Sequence, residues 1–134
     1  MATIIESEFG KTPFQRLLGH NQQVMEAWVH LGDILEKDGW LPSALKEQVR
    51  RTLAQGNGCE YCKAKGKPEP GKFTEKISMA AGFAEVFLKQ KGNIPDSAFT
   101  LLRECFTEEE ISELCAFIAF VTASHYFGAM MKLK

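Results

Sequence analysis

Apolar residues recur along most of this chain at the three- and four-residue spacing that places them on one face of an α-helix. Short segments rich in Gly and Pro, which interrupt helices, separate these stripes. The chain contains no clear apolar–polar alternation of the kind that marks a half-buried strand, and no internal repeat. The pattern therefore predicts an all-α fold, a compact helical domain of about six to seven helices.

Three helices are predicted in the first part of the chain. Thr12 and Pro13 form a typical helix start, because the hydroxyl caps free amides and Pro suits the first helical position; this short helix ends at about Gly19. A second helix ends before Gly39, and its apolar stripe consists of Val24, Trp28, Leu31 and Leu35. A third helix opens at Pro42 and is broken by a Gly-Asn-Gly run, and its apolar face consists of Leu45, Val49 and Leu53.

Three shorter segments follow this break. Cys59 to Lys65 predicts a short fourth helix, and a loop with two Gly and two Pro comes after it. A longer helix starts at Thr74 and ends near Gly92 and Pro95; its apolar face consists of Ile77, Ala81, Ala84 and Leu88. Asp96 to Cys105 predicts another short helix.

The last helix is the longest and is apolar on two faces. Thr107 and Glu110 form a capping box at its start, and the helix runs toward Met131. One stripe consists of Ile111, Leu114, Ile118, Val121 and His125, and the other of Phe117, Phe120, Phe127 and Met131. Such a width predicts a helix covered on several sides, either at the centre of the domain or between subunits. In the second case this helix would support a homo-oligomer.

Composition narrows the class of protein. The 134 residues predict one domain over 1–134, and 45% hydrophobic with 25% charged residues is typical of a soluble globular protein. A net charge of −1 disfavours nucleic-acid binding through bulk charge. The longest near-apolar stretch, Leu114 to Ala123, is shorter than the roughly 20 residues of a membrane span, and no secretory signal is visible. We expect a cytoplasmic protein that binds neither nucleic acid nor membrane.

The four cysteines point to local chemistry. Cys59 and Cys62 are separated by three positions at the start of the short fourth helix, so both sulfurs fall on one face and can close a small disulfide ring. The helix N-terminus and the nearby Lys63 and Lys65 favour a thiolate. The spacing therefore indicates a redox-active pair.

Two other interpretations of the pair stay open. A C-x-x-C can be half of a zinc site, although zinc needs four ligands and no second Cys or His pair is present. The pair can also be two buried thiols that only pack. Cys105 and Cys115 lie too far apart for easy bridging and are predicted to be core thiols.

The segment around the pair resembles a known family. The residues that carry the likeness are Leu41-Pro42, Leu45, Glu47, Val49 and the run Gly58-Cys59-Glu60-Tyr61-Cys62. They resemble the carboxymuconolactone decarboxylase-like family, in its alkylhydroperoxidase D-like branch, whose pattern is Glu, eleven residues, C-x-x-C, three residues, His. Weaker likeness extends back to Pro13 and forward through the capping box into the last helix.

The resemblance implies roles for three residues. Cys62 would attack a peroxide and become a sulfenic acid, and Cys59 would supply a proton and then condense with it to a disulfide. Glu47 would belong to the proton relay, although an ordinary helix-surface pair with Arg51 is the alternative for it. This chemistry agrees with the thiolate argument, because a neighbouring thiol resolves a sulfenic acid.

The sequence departs from the family pattern at one position. The His expected four residues after the second Cys is replaced by Gly66. General acid–base help typically contributes 10² to 10⁴-fold, so its loss would slow turnover unless another group replaces it. His125 and Tyr61 are the candidates for that replacement, whereas His20 and His30 are expected to be structural or exposed.

These observations predict a thiol-dependent peroxidase or disulfide oxidoreductase with an antioxidant role. Its substrates would be a peroxide and an external dithiol reductant, with no metal and no bound cofactor, because the chain has no flavin or nicotinamide fingerprint. The resemblance implies a trimer or hexamer. The alternative is a catalytically impaired member that acts as a redox sensor or an oligomeric binding module. Lactone decarboxylation is a third hypothesis, which does not call for a thiol pair.

Overall fold

The computed structural model describes residues 3–134. Within that range the protein is all-helical, with seven α-helices and no strand. The helices are α1 (Pro13–Leu18), α2 (Gln22–Glu36), α3 (Ser43–Gly56), α4 (Glu60–Lys63), α5 (Glu75–Gln90), α6 (Asp96–Arg103) and α7 (Glu108–Met130). A 3₁₀ turn, Pro70–Lys72, lies in the loop between α4 and α5. The predicted all-α class and number of helices are confirmed.

The predicted helix starts are found at the expected residues. Thr12 Oγ1 accepts a hydrogen bond from the amide of Gln15 over 3.1 Å, and Pro13 is the first residue of α1. The capping box of α7 is complete, because Thr107 and Glu110 each bind the other's backbone amide through their side chains. Local capping chemistry therefore fixes where these two helices begin.

The short fourth helix differs from its predicted bounds of Cys59 to Lys65. It contains Glu60–Lys63 only, and Cys59 precedes it as an N-cap residue with extended backbone angles. The chain then leaves the helix and reaches Gly66 with a φ of 121°, which a helix cannot accommodate. As a result α4 is a single turn. The predicted end of α6 at Cys105 was also two residues too late.

The core forms where α7 packs against the other helices. Helices α3 and α5 pack on each other, α3 also packs on α7, and α2, α4 and α6 cover further sides of α7. The fully buried centre consists of Val49, Leu53, Ala80, Ala84 and Leu114. The width of the apolar surface of α7 is therefore explained by its central position within one chain.

Helix α7 also meets the length and hydropathy of a membrane span. It is 23 residues long, and 44% of its most apolar window is buried inside the fold. The expectation that no segment reaches such a length was therefore too strict. The central helix of a soluble protein passes the same test, and α7 occupies that central position. The location of the protein stays a prediction.

Helix α2 contributes less to the core than its stripe predicts. Its only buried residue is Gly32, which lies against the ring of Phe120 from α7. Trp28 packs on the same ring, with 5.6 Å between the ring centroids. Val24 and Leu31 stay exposed, because α2 lies at the edge of the bundle and reaches α7 mainly through this contact.

One buried ion pair fixes the start of α3 against α7. The side chain of Lys46 is only 2% exposed, and its Nζ lies 3.1 Å from Glu113 Oε2 and 2.8 Å from the carbonyl of Lys37. Glu113 also accepts hydrogen bonds from the amides of Trp40 and Leu41. A buried ammonium is tolerated only because these oxygens replace water.

We expect Glu113→Ala to destabilise the fold strongly. The substitution leaves the Lys46 ammonium buried with one carbonyl partner, and breaking a buried pair in this way costs about 3–5 kcal/mol. Urea unfolding followed by circular dichroism measures the change. Glu109→Ala, on the exposed side of α7, is the matched control and should change the free energy of unfolding by less than about 0.5 kcal/mol. Equal effects of the two variants would contradict the assignment.

Candidate functional site

The site begins at the turn that joins α3 to α4. Asn57 caps the end of α3, and its backbone N–H donates a hydrogen bond to the carbonyl of Leu53. Gly58 follows with a φ of 74°, in the left-handed region that glycine adopts without strain. No atom lies within 4 Å of the place where a Cβ would stand on Gly58, so backbone conformation alone favours glycine here. The turn delivers Cys59 to the start of α4.

The two cysteines of the C-x-x-C segment are joined in a disulfide. Cys59 and Cys62 have Cα atoms 5.2 Å apart, and the amide of Cys62 donates to Cys59 Sγ over 3.2 Å. Cys59 is fully buried, while Cys62 is 6% exposed. The predicted ability of the pair to close a small ring is confirmed. Its activity is a separate question.

A glycine of α7 makes room for the disulfide. The structure places Gly128 so close that a Cβ on it would lie 2.7 Å from Cys59 Sγ and 3.6 Å from Cys62 Sγ. Real Cβ atoms do not approach a sulfur this closely, so the absence of a side chain lets α4 rest directly on α7. Cys59 and Cys62 form a small buried cluster with Ala54, and Tyr61 and Ala129 pack against it.

Cys62 lines a cavity of about 230 Å³ between α2 and α7. The cavity wall combines aromatic side chains with groups that can donate or accept protons. The aromatic part consists of Phe14, Trp28 and Phe120, and the polar part includes His125, Tyr61, Arg50, Lys65 and Glu36. Cys59 does not line this cavity. Of the two cysteines, Cys62 is therefore the one that borders the cavity.

His125 lies in this cavity wall, one helical turn before Gly128. The ring is buried, and its Nδ1 lies 3.1 Å from Nδ2 of Asn57. Burial, followed by the positive charges of Arg50 and Lys65, lowers the pKa of His125 from 6.5 to about 4. The imidazole is therefore neutral at pH 7. Of the predicted substitute residues, both His125 and Tyr61 reach the cavity that Cys62 lines.

Glu47 does not line that cavity but lies beside a neighbouring one. Its carboxylate accepts two hydrogen bonds from Arg50, of 2.7 and 2.8 Å, and one of 2.9 Å from Arg51. Hydrogen bonds from Arg50, supported by Arg51, lower its pKa from 4.5 to about 2. The predicted helix-surface pair with Arg51 is present, and Glu47 is held as an anion. Its relay role stays a prediction.

A second carboxyl group lies closer to the chemistry. Glu36, the last residue of α2, lines both the Cys62 cavity and the neighbouring one. Partial desolvation raises its pKa, which Lys65 partly offsets. Within residues 3–134 its side chain has no hydrogen bond or ion pair. Sequence reasoning missed Glu36, because nothing in its local pattern links the end of α2 to the cysteines.

Arg51 fills the space beside Gly66, where the family pattern has its His. A Cβ on Gly66 would lie 2.9 Å from Arg51 Nη1. The same guanidinium donates to the carbonyl of Lys67 over 3.1 Å and pairs with Glu69 at 3.2 Å. Arg51 thereby ties the loop after α4 to α3, and a side chain on residue 66 would disrupt that tie.

The remaining candidates lie away from the cavity. His20 and His30 are exposed, and His20 binds the carbonyl of Ile5. Cys105 and Cys115 are free, partly buried and packed against the main core, as predicted, and burial raises the pKa of Cys115. In the described part of the chain, no three His, Cys, Asp or Glu side chains are grouped to hold a metal ion.

Comparison with known proteins does not identify the chain: no protein-family model matches it, and no curated protein shows significant similarity. The resemblance to the alkylhydroperoxidase D-like branch therefore stays a prediction. The geometry on α3, α4 and α7 carries the functional argument instead.

We expect Gly128→Ala to destabilise the fold by about 1–3 kcal/mol, because the added methyl group overlaps the Cys59 sulfur and forces α4 away from α7. Thermal and urea unfolding measure the effect. Gly82→Ala is the matched control, since Gly82 is an exposed α5 residue with open space around it. That control should gain up to about 1 kcal/mol from helix propensity. A neutral Gly128→Ala would refute the close approach.

We expect His125 to make stability depend on pH below 6.5. In the unfolded chain the imidazole takes up a proton near pH 6.5, whereas in the fold it does so only near pH 4. As the pH decreases from 6.5 to 4, the free energy of unfolding should therefore decrease, and the contribution of His125 to this loss is about 3 kcal/mol. Urea unfolding at pH 7.5 and 4 should show a smaller loss in His125→Gln than in the wild type. His30→Gln, at an exposed position, should behave as the wild type does; a full loss in His125→Gln would contradict the expectation.

Proposed function

We propose that this protein is a thiol-dependent peroxidase or disulfide oxidoreductase of the alkylhydroperoxidase D-like type. One observation carries the proposal: two cysteines one helical turn apart are joined in a disulfide, and one of them alone lines a cavity. A disulfide that only stabilised the fold would not need a sulfur at a cavity wall. The asymmetry between Cys59 and Cys62 is what a nucleophile and its resolving partner require.

In the oxidising half of the cycle, the Cys62 thiolate attacks the terminal oxygen of a hydroperoxide. An S–O bond forms, the O–O bond breaks, and the leaving oxygen takes up a proton to become an alcohol or water. Cys62 is then a sulfenic acid. Cys59 Sγ attacks Cys62 Sγ, the S–S bond forms, and hydroxide leaves and combines with the Cys59 proton as water. The peroxide is reduced by two electrons, and the two thiols are oxidised.

In the reducing half, an external dithiol returns the pair to the thiol form. Its thiolate attacks Sγ of Cys62, the cysteine that lines the cavity, and Cys59 leaves with the electron pair and gains a proton. The second thiol of the reductant then displaces Cys62 and closes its own disulfide. Electrons and protons balance without a metal or a bound cofactor.

The aromatic and cationic walls of the cavity suit these steps. Arg50 Nη1 is buried and has no hydrogen-bond partner among residues 3–134, so it can donate to a peroxide oxygen. Glu47 contributes by holding the guanidinium of Arg50 in place through its two hydrogen bonds. Phe14, Trp28 and Phe120 can pack against the organic part of a substrate.

The cellular part of the proposal is an antioxidant role in the cytoplasm. A homo-oligomer, a trimer or hexamer, also belongs to the proposal. The apolar side chains that stay exposed on α2 support an oligomer: Val24, Leu31 and Ile34 are each more than two-fifths exposed. These residues, and not the covered faces of α7, are where subunits would meet.

A second candidate function is a redox sensor or binding module that forms the disulfide without rapid turnover. The space beside Gly66 favours it, because Arg51 and not an imidazole lies there. Lactone decarboxylation has no comparable support, since that chemistry has no use for a thiol pair at the cavity.

We expect the wild-type protein to consume cumene hydroperoxide with dithiothreitol as reductant, and Cys62→Ser to abolish this consumption. In Cys59→Ser, one equivalent of peroxide should yield a Cys62 sulfenic acid that dimedone traps, with no internal disulfide by mass spectrometry. Cys115→Ser, away from the cavity, is the matched control and should turn over as the wild type does. Slow single oxidation without turnover in the wild type would favour the sensor; no oxidation of Cys62 at all would refute both.

A further inference from the structure

Asn57 joins the C-x-x-C turn to α7 through one side chain. Its Nδ2 lies 3.1 Å from His125 Nδ1 and 3.4 Å from Thr122 Oγ1. All three residues are buried: Asn57 is 7% exposed, Thr122 7% and His125 3%. Thr122 and His125 are neighbours on one face of α7, so a single amide group reaches both. The contact is isolated from water and therefore strongly determines the state of the ring.

An amide nitrogen can only donate, so the ring nitrogen that faces it must accept. His125 Nδ1 is therefore the nitrogen without a proton, and in a neutral imidazole the proton then resides on Nε2. The same amide nitrogen also donates to the Thr122 hydroxyl over 3.4 Å. The residue that faces His125 Nδ1 thus lies two positions before Cys59.

We propose that Asn57 is a positioning residue that holds His125 as a neutral Nε2–H donor facing the cavity of Cys62. No described residue hydrogen bonds to Nε2, and His125 lines the same cavity as Cys62. A neutral imidazole in this state donates a hydrogen bond and does not act as a base. The catalytic role of this donor rests on the proposed function: the Nε2–H stabilises the negative charge that develops on the leaving peroxide oxygen.

The charged surroundings agree with a neutral donor. Arg50 of α3 and Lys65 after α4 oppose a positive charge on the ring, and burial opposes it further. The acidic groups nearby are Asp33 and Glu36 of α2, which line the same cavity and have no ion pair among residues 3–134, and Glu47, which Arg50 and Arg51 neutralise. Tyr61 also lines the cavity. None of these groups contacts Nδ1, so Asn57 decides the tautomer.

The experiment is a long-range ¹H–¹⁵N correlation spectrum of the three histidines, combined with stopped-flow oxidation of reduced protein by cumene hydroperoxide. The spectrum separates the Nε2–H from the Nδ1–H form and from imidazolium. The key variant is Asn57→Asp, because a carboxylate accepts where the amide donates and so favours a proton on Nδ1. Asn93→Asp makes the same chemical change at an exposed loop position and is the matched control.

We expect His125 of the wild type to be in the Nε2–H form from pH 6 to 8, and Asn57→Asp to move it to the Nδ1–H form or to imidazolium. Cys62 oxidation should then slow by about 10²-fold, the size typical for loss of one such donor. Asn93→Asp should leave the spectrum and the rate unchanged. His20 and His30, both exposed, serve as internal references in every spectrum.

A wild-type His125 in the Nδ1–H form would overturn the proposal even if no variant folds. A shifted tautomer in Asn57→Asp with an unchanged oxidation rate would overturn the catalytic role of the donor. Failure of the proposed function looks different: Cys62 of the wild type then resists peroxide, while the spectrum still shows His125 in the Nε2–H form.

Discussion

The candidate site depends on how closely the turn of α4 approaches α7. That approach exists because residue 128 has no side chain, and the Cys59 sulfur occupies the space where a Cβ would stand. His125 lies one turn earlier on the same helix, so the contact that seats the sulfurs also brings an imidazole to the cavity of Cys62. A single missing methyl group thus determines which side chains share this cavity.

Charge around the cavity is divided between fixed and free groups. Glu47 is fixed as an anion by two arginines, and its pKa of about 2 leaves it no proton to exchange at neutral pH. Glu36 is free of such partners among residues 3–134, and partial desolvation raises its pKa. The carboxyl that a sequence pattern marks is therefore the one held as an anion beside Arg50, and its place in a proton relay stays a prediction.

Much of the fold could be predicted because local chemistry determines it. Capping by Thr12 and Thr107 and the Gly-rich break after α3 fix helix ends within a few residues. The C-x-x-C spacing likewise predicted a pair that can close. The end of α4 could not be predicted, because it depends on Gly66 and on Arg51, which reaches the loop from another helix.

The same limit explains which site residues were missed. Glu36 has ordinary sequence surroundings, and the Gly-Asn-Gly run predicts a turn at Asn57 but no side-chain partner; only the packing of α2 and α3 on α7 brings these two residues to the cavity or to His125. Val24 and Leu31 were predicted to lie on an apolar helix face, yet both are exposed. Periodicity identifies a face as apolar but does not say what covers it.

The replacement of the pattern's His by Gly66 and the position of His125 on α7 are both related to the short length of α4. In the pattern that this chain resembles, the imidazole follows the thiols at helical spacing. Here α4 ends at Lys63, so residue 66 is no longer on the helix that carries the thiols. An imidazole near Cys62 therefore has to come from another element, and α7 is the helix on which the disulfide rests. Because His125 belongs to that long central helix and Asn57 to the end of α3, neither residue is part of the single turn that carries Cys62. The proposed hydrogen-bond donor is therefore held by elements other than the one whose sulfurs would change state in the proposed cycle.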